Sequence, residues 1–391
     1  MKNNNYTCGI DIGTQSTKVV VMVFDKIKKE NIIVATGISP TLGMRFGYIT
    51  NVDTVAASIK KAVGQAENIL GFKIRKAFIS VGGVSLSSVT STGSVMISKA
   101  DQEITNLDVQ KVLANSEENL DIVNKKIIHI IPIGYKLDGK EIYARPEGLK
   151  GIKLEVKTLF ITCLKQNIED LITALTLAKI DIEEIIASPF ATGNVLVNNQ
   201  QKIAGCVLVD IGAETVSTVV FENSLPLSIS VFPIGSMDIT KDIALGLRLS
   251  LEEAESIKLG SVTGGDYSKK KVDEIIEARL GDIFELVGNQ LKRLKRNELL
   301  PAGIIITGHG SSTNNICEIA RTQLKLPAKI GVIDSSLNNK LKVRDSSWYT
   351  ALGLALSSNS ESFNNQAIDS IGVNIKEMKR FFKDILKQLL P

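Results

Sequence analysis

Three features of the sequence predict an α/β protein built from two similar halves, with a smaller domain inserted in the first. Apolar strands alternate with amphipathic helices along most of the chain, the pattern of layered α/β architecture. A strand–turn–strand segment around Asp11-Ile12-Gly13 returns 199 residues later around Asp210-Ile211-Gly212. That period is far too long for a solenoid and suits two facing domains. Between the copies, residues 84–160 have a Ser/Thr-rich texture unlike their surroundings and read as an α+β insertion.

The elements follow in order. Residues 8–24 read as an apolar strand, a polar turn and a second, β-branched strand, with a third strand at 32–38. Apolar spacing (Val55, Ile59, Ala62, Val63, Ala66, Ile69) predicts a helix over 52–70, stopped by Gly71, before a strand at 76–81. Inside the insertion we expect a hairpin at 85–98, a helix starting near 105–108, and strands at 127–133 and 154–162. A helix at 168–179 and an apolar stretch at 185–197 lead back to the main body. The second copy of the hairpin occupies 206–221, followed by helices at 239–249, 251–259 and 271–296. A buried strand from 302 then enters a Gly/Ser turn at 307–311, ahead of a helix at 316–324. The expected division is therefore 1–83 and 161–204 for the first domain, 84–160 for the insertion, and 205–356 for the second domain, with about 245–300 its smaller subdomain. Residues 357–370 read as a flexible linker and 371–391 as an amphipathic helix.

Composition bounds the function. Hydrophobic residues at 44% and charged residues at 23% describe a globular chain with ample core, not a disordered one. A net charge of +4 is far below that of a dedicated nucleic-acid binder, so no nucleic-acid partner is expected. Four scattered cysteines and two histidines lack zinc-ligand spacing and suit a reducing, cytoplasmic compartment. No run of about 18 apolar residues is present, so no membrane span is expected. The positive charge gathers at 371–391, with five basic and two acidic residues, leaving a nearly neutral body.

A carboxylate at a strand end, followed by a Gly/Thr/Ser turn, does two jobs. Turn N–H groups and hydroxyls cradle phosphate oxygens, and the carboxylate holds Mg²⁺ through waters, which that ion releases reluctantly. Two such hairpins facing one another could clamp a triphosphate, with Asp11 and Asp210 on the metal and Lys18 as a point charge. The chain has no Gly-x-x-x-x-Gly-Lys-Ser/Thr, and no Gly-x-Gly-x-x-Gly after its first strand, which disfavours P-loop and Rossmann sites. His129, in an apolar run, reads as structural rather than catalytic.

These residues resemble the actin/Hsp70/sugar-kinase ATPase superfamily and, within it, the FtsA family of bacterial cell-division proteins. The resemblance rests on 9–18 and 209–215 for the two phosphate motifs, on 233–244, 254–258 and 303–308 for the adenosine side, and on 129–132 and 146–155 in the insertion. It implies an actin-like two-domain ATPase fold with duplicated phosphate hairpins, binding ATP and Mg²⁺. By the same resemblance, Asp11, Gly13, Thr14, Gln15, Ser16 and Lys18 would contact phosphate and Mg²⁺. Asp210, Gly212, Ala213, Glu214 and Thr215 would close the other side. Gly235 and Ser236 would approach ribose and phosphate, Glu255 and Lys258 the ribose and adenine, and Gly308, His309, Gly310 and Ser311 the adenine face. His309 would either stack on the base or cap the next helix.

Three departures from the family pattern stand out. Ala213-Glu214 replaces two glycines common in the second phosphate motif, and Gly308-His309-Gly310-Ser311 replaces a run of glycines. Where Hsp70-like relatives carry a Glu before Pro-x-Ala, this chain has Ser188-Pro189-Phe190-Ala191, without a group to position an attacking water. The expectation is ATP binding with slow or absent hydrolysis.

The tail carries Ile371, Ile375, Met378, Phe382, Ile385 and Leu389 at alternating steps of four and three, widened by Phe381 and Leu386. Lys376, Lys379, Arg380, Lys383 and Lys387 oppose them. With the polar linker before it, this is the pattern of a helix lying on an anionic membrane surface, the alternative being a terminal helix docked on the protein's own core. The resemblance further implies self-assembly into actin-like filaments and binding of the C-terminal peptide of the tubulin-like FtsZ filament at the division site, on the inner face of the cell membrane. Cations on 271–296, notably Arg279 and Lys292, suit an acidic peptide. The rival readings are a PilM-like pilus-assembly protein, which ordinarily lacks such a tail, and a small-molecule kinase of the same superfamily, for which no carboxylate base can be nominated. An Hsp70-like chaperone would require a peptide-binding domain after the ATPase.

Overall fold

The computed structural model describes residues 6–25, 27, 30–260, 267–333 and 345–357. The chain forms two compact units. The larger takes the residues up to Ser88, Asn124–His129 and those from Ile161 to the end of the described chain; the smaller takes Val89–Val123 and Ile130–Phe160.

The larger unit contains the same sheet twice. In its first half, β1 (Tyr6–Ile12), β2 (Ser16–Asp25) and β3 (Glu30–Pro40) form an antiparallel meander. A short ribbon, β4 (Met44–Arg45) and β5 (Tyr48–Ile49), leads to α1 (Val52–Leu70) and β6 (Lys76–Val81). Asn51 caps α1 by accepting from the Thr54 N–H, and Gly71 ends it in the left-handed conformation expected of a C-terminal glycine.

The smaller unit is built from α2 (Asn106–Glu118), β9 (Lys140–Ile142) and the greater parts of β7 (Ser87–Met96), β8 (Lys125–Leu137) and β10 (Lys153–Leu164), with sheet order β7-β10-β8-β9. Val109, Val112 and Leu113 of α2 share its core with Tyr135, Leu154 and Val156. Residues 85–98, expected as a hairpin, form the single edge strand β7 instead. One wet face allows an edge strand to carry Ser and Thr, the very residues that imitate a turn. Residues 84–88 and 124–129, the latter the start of β8, group with the larger unit.

The chain returns through α3 (Lys165–Leu177), β11 (Asp181–Ala187), α4 (Ser188–Leu196) and α5 (Asn199–Ala204). The first sheet is thereby ordered β11-β6-β1-β2-β3, with β6 and β11 parallel to β1. The apolar stretch at 185–197 divides because Pro189 starts a helix while the residues before it complete a parallel strand.

The second half repeats the plan. The meander is β12 (Cys206–Ile211), β13 (Val216–Glu222) and β14 (Leu225–Phe232), followed by α6 (Ser236–Leu247), α7 (Leu251–Lys258) and α8 (Lys269–Arg293). Next come β15 (Ile304–Thr307), α9 (Ile316–Leu324), β16 (Ala328–Ile330) and α10 (Tyr349–Leu356, all but one of its residues buried). The sheet order β14-β13-β12-β15-β16 matches the first strand for strand. Helices α6 to α8 bury Ile243, Ile257, Ile276 and Phe284 in one core with Val207, Val209, Ile304 and Ile306 of that sheet, so the 245–300 region shares its core with the strands.

A helix near the end of each half also lies on the other half's strands. Helix α10 lies on β1 so closely that a Cβ on Gly9 would sit 2.3 Å from the Ala351 carbonyl oxygen. Helix α4 lies against β12 and β13, where a Cβ on Gly193 would meet the Phe221 ring at 3.0 Å. The two helices also touch, with Thr192 Oγ1 and Thr350 Oγ1 2.9 Å apart.

Candidate functional site

The two hairpins are the same local structure made twice. Asp11 pairs with Lys18 across β1–β2, and Asp210 with Ser217 across β12–β13. The Gly13 N–H donates to the Ser16 carbonyl at 3.2 Å, and the Gly212 N–H to the Thr215 carbonyl at 2.9 Å. The first turn is fastened by the Thr41 N–H donating to the Gln15 carbonyl (3.1 Å) and by the contact of Thr17 and Thr41 hydroxyls (2.8 Å). The second rests on the start of α6, where Ser236 and Met237 N–H groups donate to the Gly212 and Ala213 carbonyls at 2.8 and 2.9 Å.

Both turns line one cleft of the larger unit. Of the residues singled out in the sequence, Asp11, Gly13, Thr14, Gln15, Ser16, Lys18, Asp210, Gly212, Ala213, Thr215, Gly308 and His309 lie on its wall. Asp11 and Asp210 are its only carboxylates among the described residues. Each is partly open to the cleft and enclosed by protein elsewhere. Desolvation lifts the Asp11 carboxyl above its ordinary range, opposed by Lys18 and by the Ser80 hydroxyl, which donates to Asp11 Oδ1 at 2.8 Å. Asp210 is pushed up to about 7, first by burial and then by the negative charge of Asp11, against Lys18 and a hydrogen bond from Thr192. Two recessed carboxylates that repel one another beside one ammonium make a place where a further cation is favourable.

The halves differ in one detail. Ser80 accepts from the Ile12 N–H (3.1 Å) and donates to Asp11. Thr307, in register with Asp210, has a buried hydroxyl oxygen with no partner among the described residues. A Cβ on Gly308 would lie 2.3 Å from Asp210 Oδ1, so the backbone has to be bare there. A raised Asp210 carboxyl, on one cleft wall with the turn residues and Lys18, fits a hydrated divalent cation carried by an anionic ligand.

Several wall residues lie outside the expected set: Met44, Gly47, Ser80, Gly82, Gly83, Ser217, Ser346, Ser347 and Thr350, and Ser188 of the 188–191 segment joins them. Most are small residues at ends of strands or starts of helices. Gly82 follows β6 and Ser188 follows β11, and crevices open beyond the carboxyl ends of parallel strands, which is the signal that could have found them.

Other expected residues lie beside the cleft, not on its wall. Gly235 and Ser236 sit behind the second turn, and Gly310 and Ser311 are buried behind His309. Lys258, only 3% exposed, is held by Glu255 at 2.7 Å, by Thr240 Oγ1 at 2.8 Å and by the Ser236 carbonyl at 3.2 Å. Glu255 also accepts from Thr240 (2.5 Å) and lies 3.5 Å from His309 Nε2; these partners, set against its partial burial, keep its carboxyl below the usual range. His309 thus leans on a carboxylate on one side and opens to the cleft on the other. Arg279 is committed to Asp242 and Asp282, whereas Lys292 is exposed. The tail residues 371–391 and most of the 357–370 linker lie outside the described residues.

Comparison with known proteins places these features in context. The model of the family described as "Cell division protein FtsA" matches residues 207–353, and that of the "SHS2 domain inserted in FTSA" matches 83–162. A curated relative, the cell division protein FtsA of Bacillus subtilis (strain 168), is 30% identical over 377 residues, covering 90% of this chain and 83% of its own. Among solved structures, the PilM-PilN type IV pilus biogenesis complex aligns with a TM-score of 0.64 at 17% identity, over 90% of this chain and 98% of that one. MreB5 of Spiroplasma citri bound to ADP aligns at 0.52 with 11% identity, over 93% and 98%. Both likenesses are of fold, and the fold is that of the actin-like ATPases.

Proposed function

Since the chain belongs to the FtsA family of cell-division proteins, we propose that it is an ATP-binding, actin-like adaptor that polymerises and holds FtsZ filaments against the inner face of the cytoplasmic membrane. The observation that carries the nucleotide part is the pair of equivalent hairpins lining one cleft, with Asp11, Asp210 and Lys18 among its walls. Turn amides and Lys18 would hold the phosphates, and Asp11 and Asp210 would hold Mg²⁺ through its waters. Mg²⁺ bound there supplies positive charge that offsets both the phosphate oxygens and the mutual repulsion of the two carboxylates. His309, beside Glu255, would border the adenine.

Beyond Asp11 and Asp210, the cleft wall offers hydroxyls and no third carboxylate among the described residues. That supports slow or absent hydrolysis, and it leaves a kinase reading without a nominated base. Membrane attachment rests on the apolar stripe and basic face of 371–391, and FtsZ binding on the family and on exposed cations such as Lys292. Likeness of fold to PilM leaves the pilus reading second, because the family relationship is to division proteins.

Co-sedimentation with anionic liposomes, with and without ATP, tests the whole reading when the full chain is compared with one ending at Ser357. Pelleting of the full chain alone is expected. Equal pelleting of the truncated chain would remove the membrane-adaptor function, and steady-state phosphate release above about one per second would remove the slow-turnover part.

A further inference from the structure

Glu214 stands in the second phosphate turn, yet its side chain leaves the cleft wall and crosses to the other half. Its Oε2 accepts the backbone N–H of Phe46 at 2.7 Å, joining residues 168 apart in sequence. Phe46 lies in the turn of the β4–β5 ribbon, whose Met44 and Gly47 line the cleft.

The ribbon cannot simply swing with Glu214. Phe46 has φ of +50°, its carbonyl accepts from the Val84 N–H at 3.1 Å, and a Cβ on the next residue, Gly47, would sit 2.2 Å from Gly83 Cα. The ribbon is thus mounted on the loop after β6, as part of the first half. On the other side, the turn bearing Glu214 rests on α6, as part of the second. Parting the two halves at the phosphate end therefore stretches the Glu214–Phe46 bond, a charged acceptor on a backbone donor and of the stronger class of hydrogen bond.

We propose that Glu214 is a positioning residue that latches the mouth of the nucleotide cleft and sets the rate at which bound nucleotide leaves. The inference rests on the nucleotide reading above. It gives the glutamate a task unrelated to phosphate contact: nucleotide release has to wait for the carboxylate to let go of the Phe46 amide, as release waits for lid opening elsewhere.

The test uses the full chain loaded with Mg²⁺ and a fluorescent N-methylanthraniloyl ATP, chased with excess ATP in a stopped-flow instrument, alongside hydrogen exchange at the Phe46 amide. Glu214→Ala is expected to release the label on the order of tenfold faster and to lose protection at Phe46, with association changed far less. Glu214→Gln keeps the reach and an acceptor oxygen but loses the charge, so its release rate should fall between those of the wild type and the Ala variant. Glu214→Asp keeps the charge and loses the reach, and should behave like Ala; this contrast decides the matter even if the Ala variant folds poorly. Equal release rates in wild type, Ala and Asp forms would overturn the latch alone. Failure of the wild type to retain any label would overturn the nucleotide reading, and with it this regulation, whatever the exchange at Phe46.

Discussion

Arg279 grips Asp242 with two nitrogens, Nε on Oδ2 at 2.6 Å and Nη2 on Oδ1 at 3.1 Å, while Nη1 reaches Asp282 Oδ2 at 3.2 Å. The contact ties α8 to α6. Because both partners of the main pair are about 30% exposed, its worth is modest. Arg279→Ala should lower stability by about 1 kcal/mol in urea unfolding, with most of that loss absent when Asp242 is already Ala. Loss of FtsZ co-pelleting in an Arg279 variant would then mix fold and binding. Lys292→Glu separates them: weaker co-pelleting with unchanged unfolding is the expected result.

Lys258 is nearly sealed from solvent, and its three partners satisfy it. Replacing it by Met leaves Glu255 without its nearest cation. We expect a loss of about 3 kcal/mol by chemical denaturation, partly recovered in the Lys258→Met, Glu255→Gln double variant. A cost as small as that of a surface lysine would contradict the burial.

The charged form of Asp210 is disfavoured first by burial and then by the negative charge of Asp11. Asp210→Asn removes the repulsion and keeps the shape. The ligand-free variant should therefore melt a few degrees above the wild type at pH 8, as expected for about 1–2 kcal/mol of relieved strain. The same change should weaken Mg²⁺-dependent ATP binding, measured by titration calorimetry. Higher stability with lower affinity is the signature to look for; lower stability would show that the carboxylate serves the fold.

His129 accepts the Ala187 N–H at 3.1 Å through Nε2 and lies beside the Phe190 ring, 5.7 Å between centroids. Burial depresses its pKa below the ordinary value near 6.5, with Glu184 opposing. A folded state that prefers the neutral ring is stabilised above the unfolded pKa and loses that stability as pH falls through 6.5 toward the depressed value. The wild type should therefore become easier to unfold by urea between pH 7 and pH 5. His129→Gln, which cannot take up that proton, should show a flatter profile over the same range.

Much of the fold could be read because period and punctuation agree. Val55, Ile59, Ala62 and Ala66 face the core of α1 at helical spacing, and Gly71 ends it. Asp-Ile-Gly recurs, and both copies make the same turn. Where the reading went astray, competing signals looked alike. Ser and Thr of β7 read as a turn, since composition cannot tell an edge strand's wet face from a loop. Other cleft residues are hidden for a related reason: Ser80, Ser217 and Thr350 are ordinary residues in ordinary segments, brought to the cleft by strand order and by the placement of α10. Glu214 shows the opposite limit. Its position in a phosphate motif was legible, but its partner Phe46 was not, because no local pattern links residues 168 apart.

The crossing of α4 and α10 onto the other half's strands has a consequence for synthesis. As the chain leaves the ribosome, β1 appears among the first residues, yet the helix that covers Gly9 is complete only with Leu356. Until then the amino-terminal sheet lacks one of its walls, and α4 has no β12 or β13 to lie on before residue 222 is made. Neither half can finish alone, so the larger unit should fold late and as one, as expected when sequence-distant contacts dominate. Segments 6–204 and 205–357, expressed separately, should each be poorly structured and should regain order when mixed.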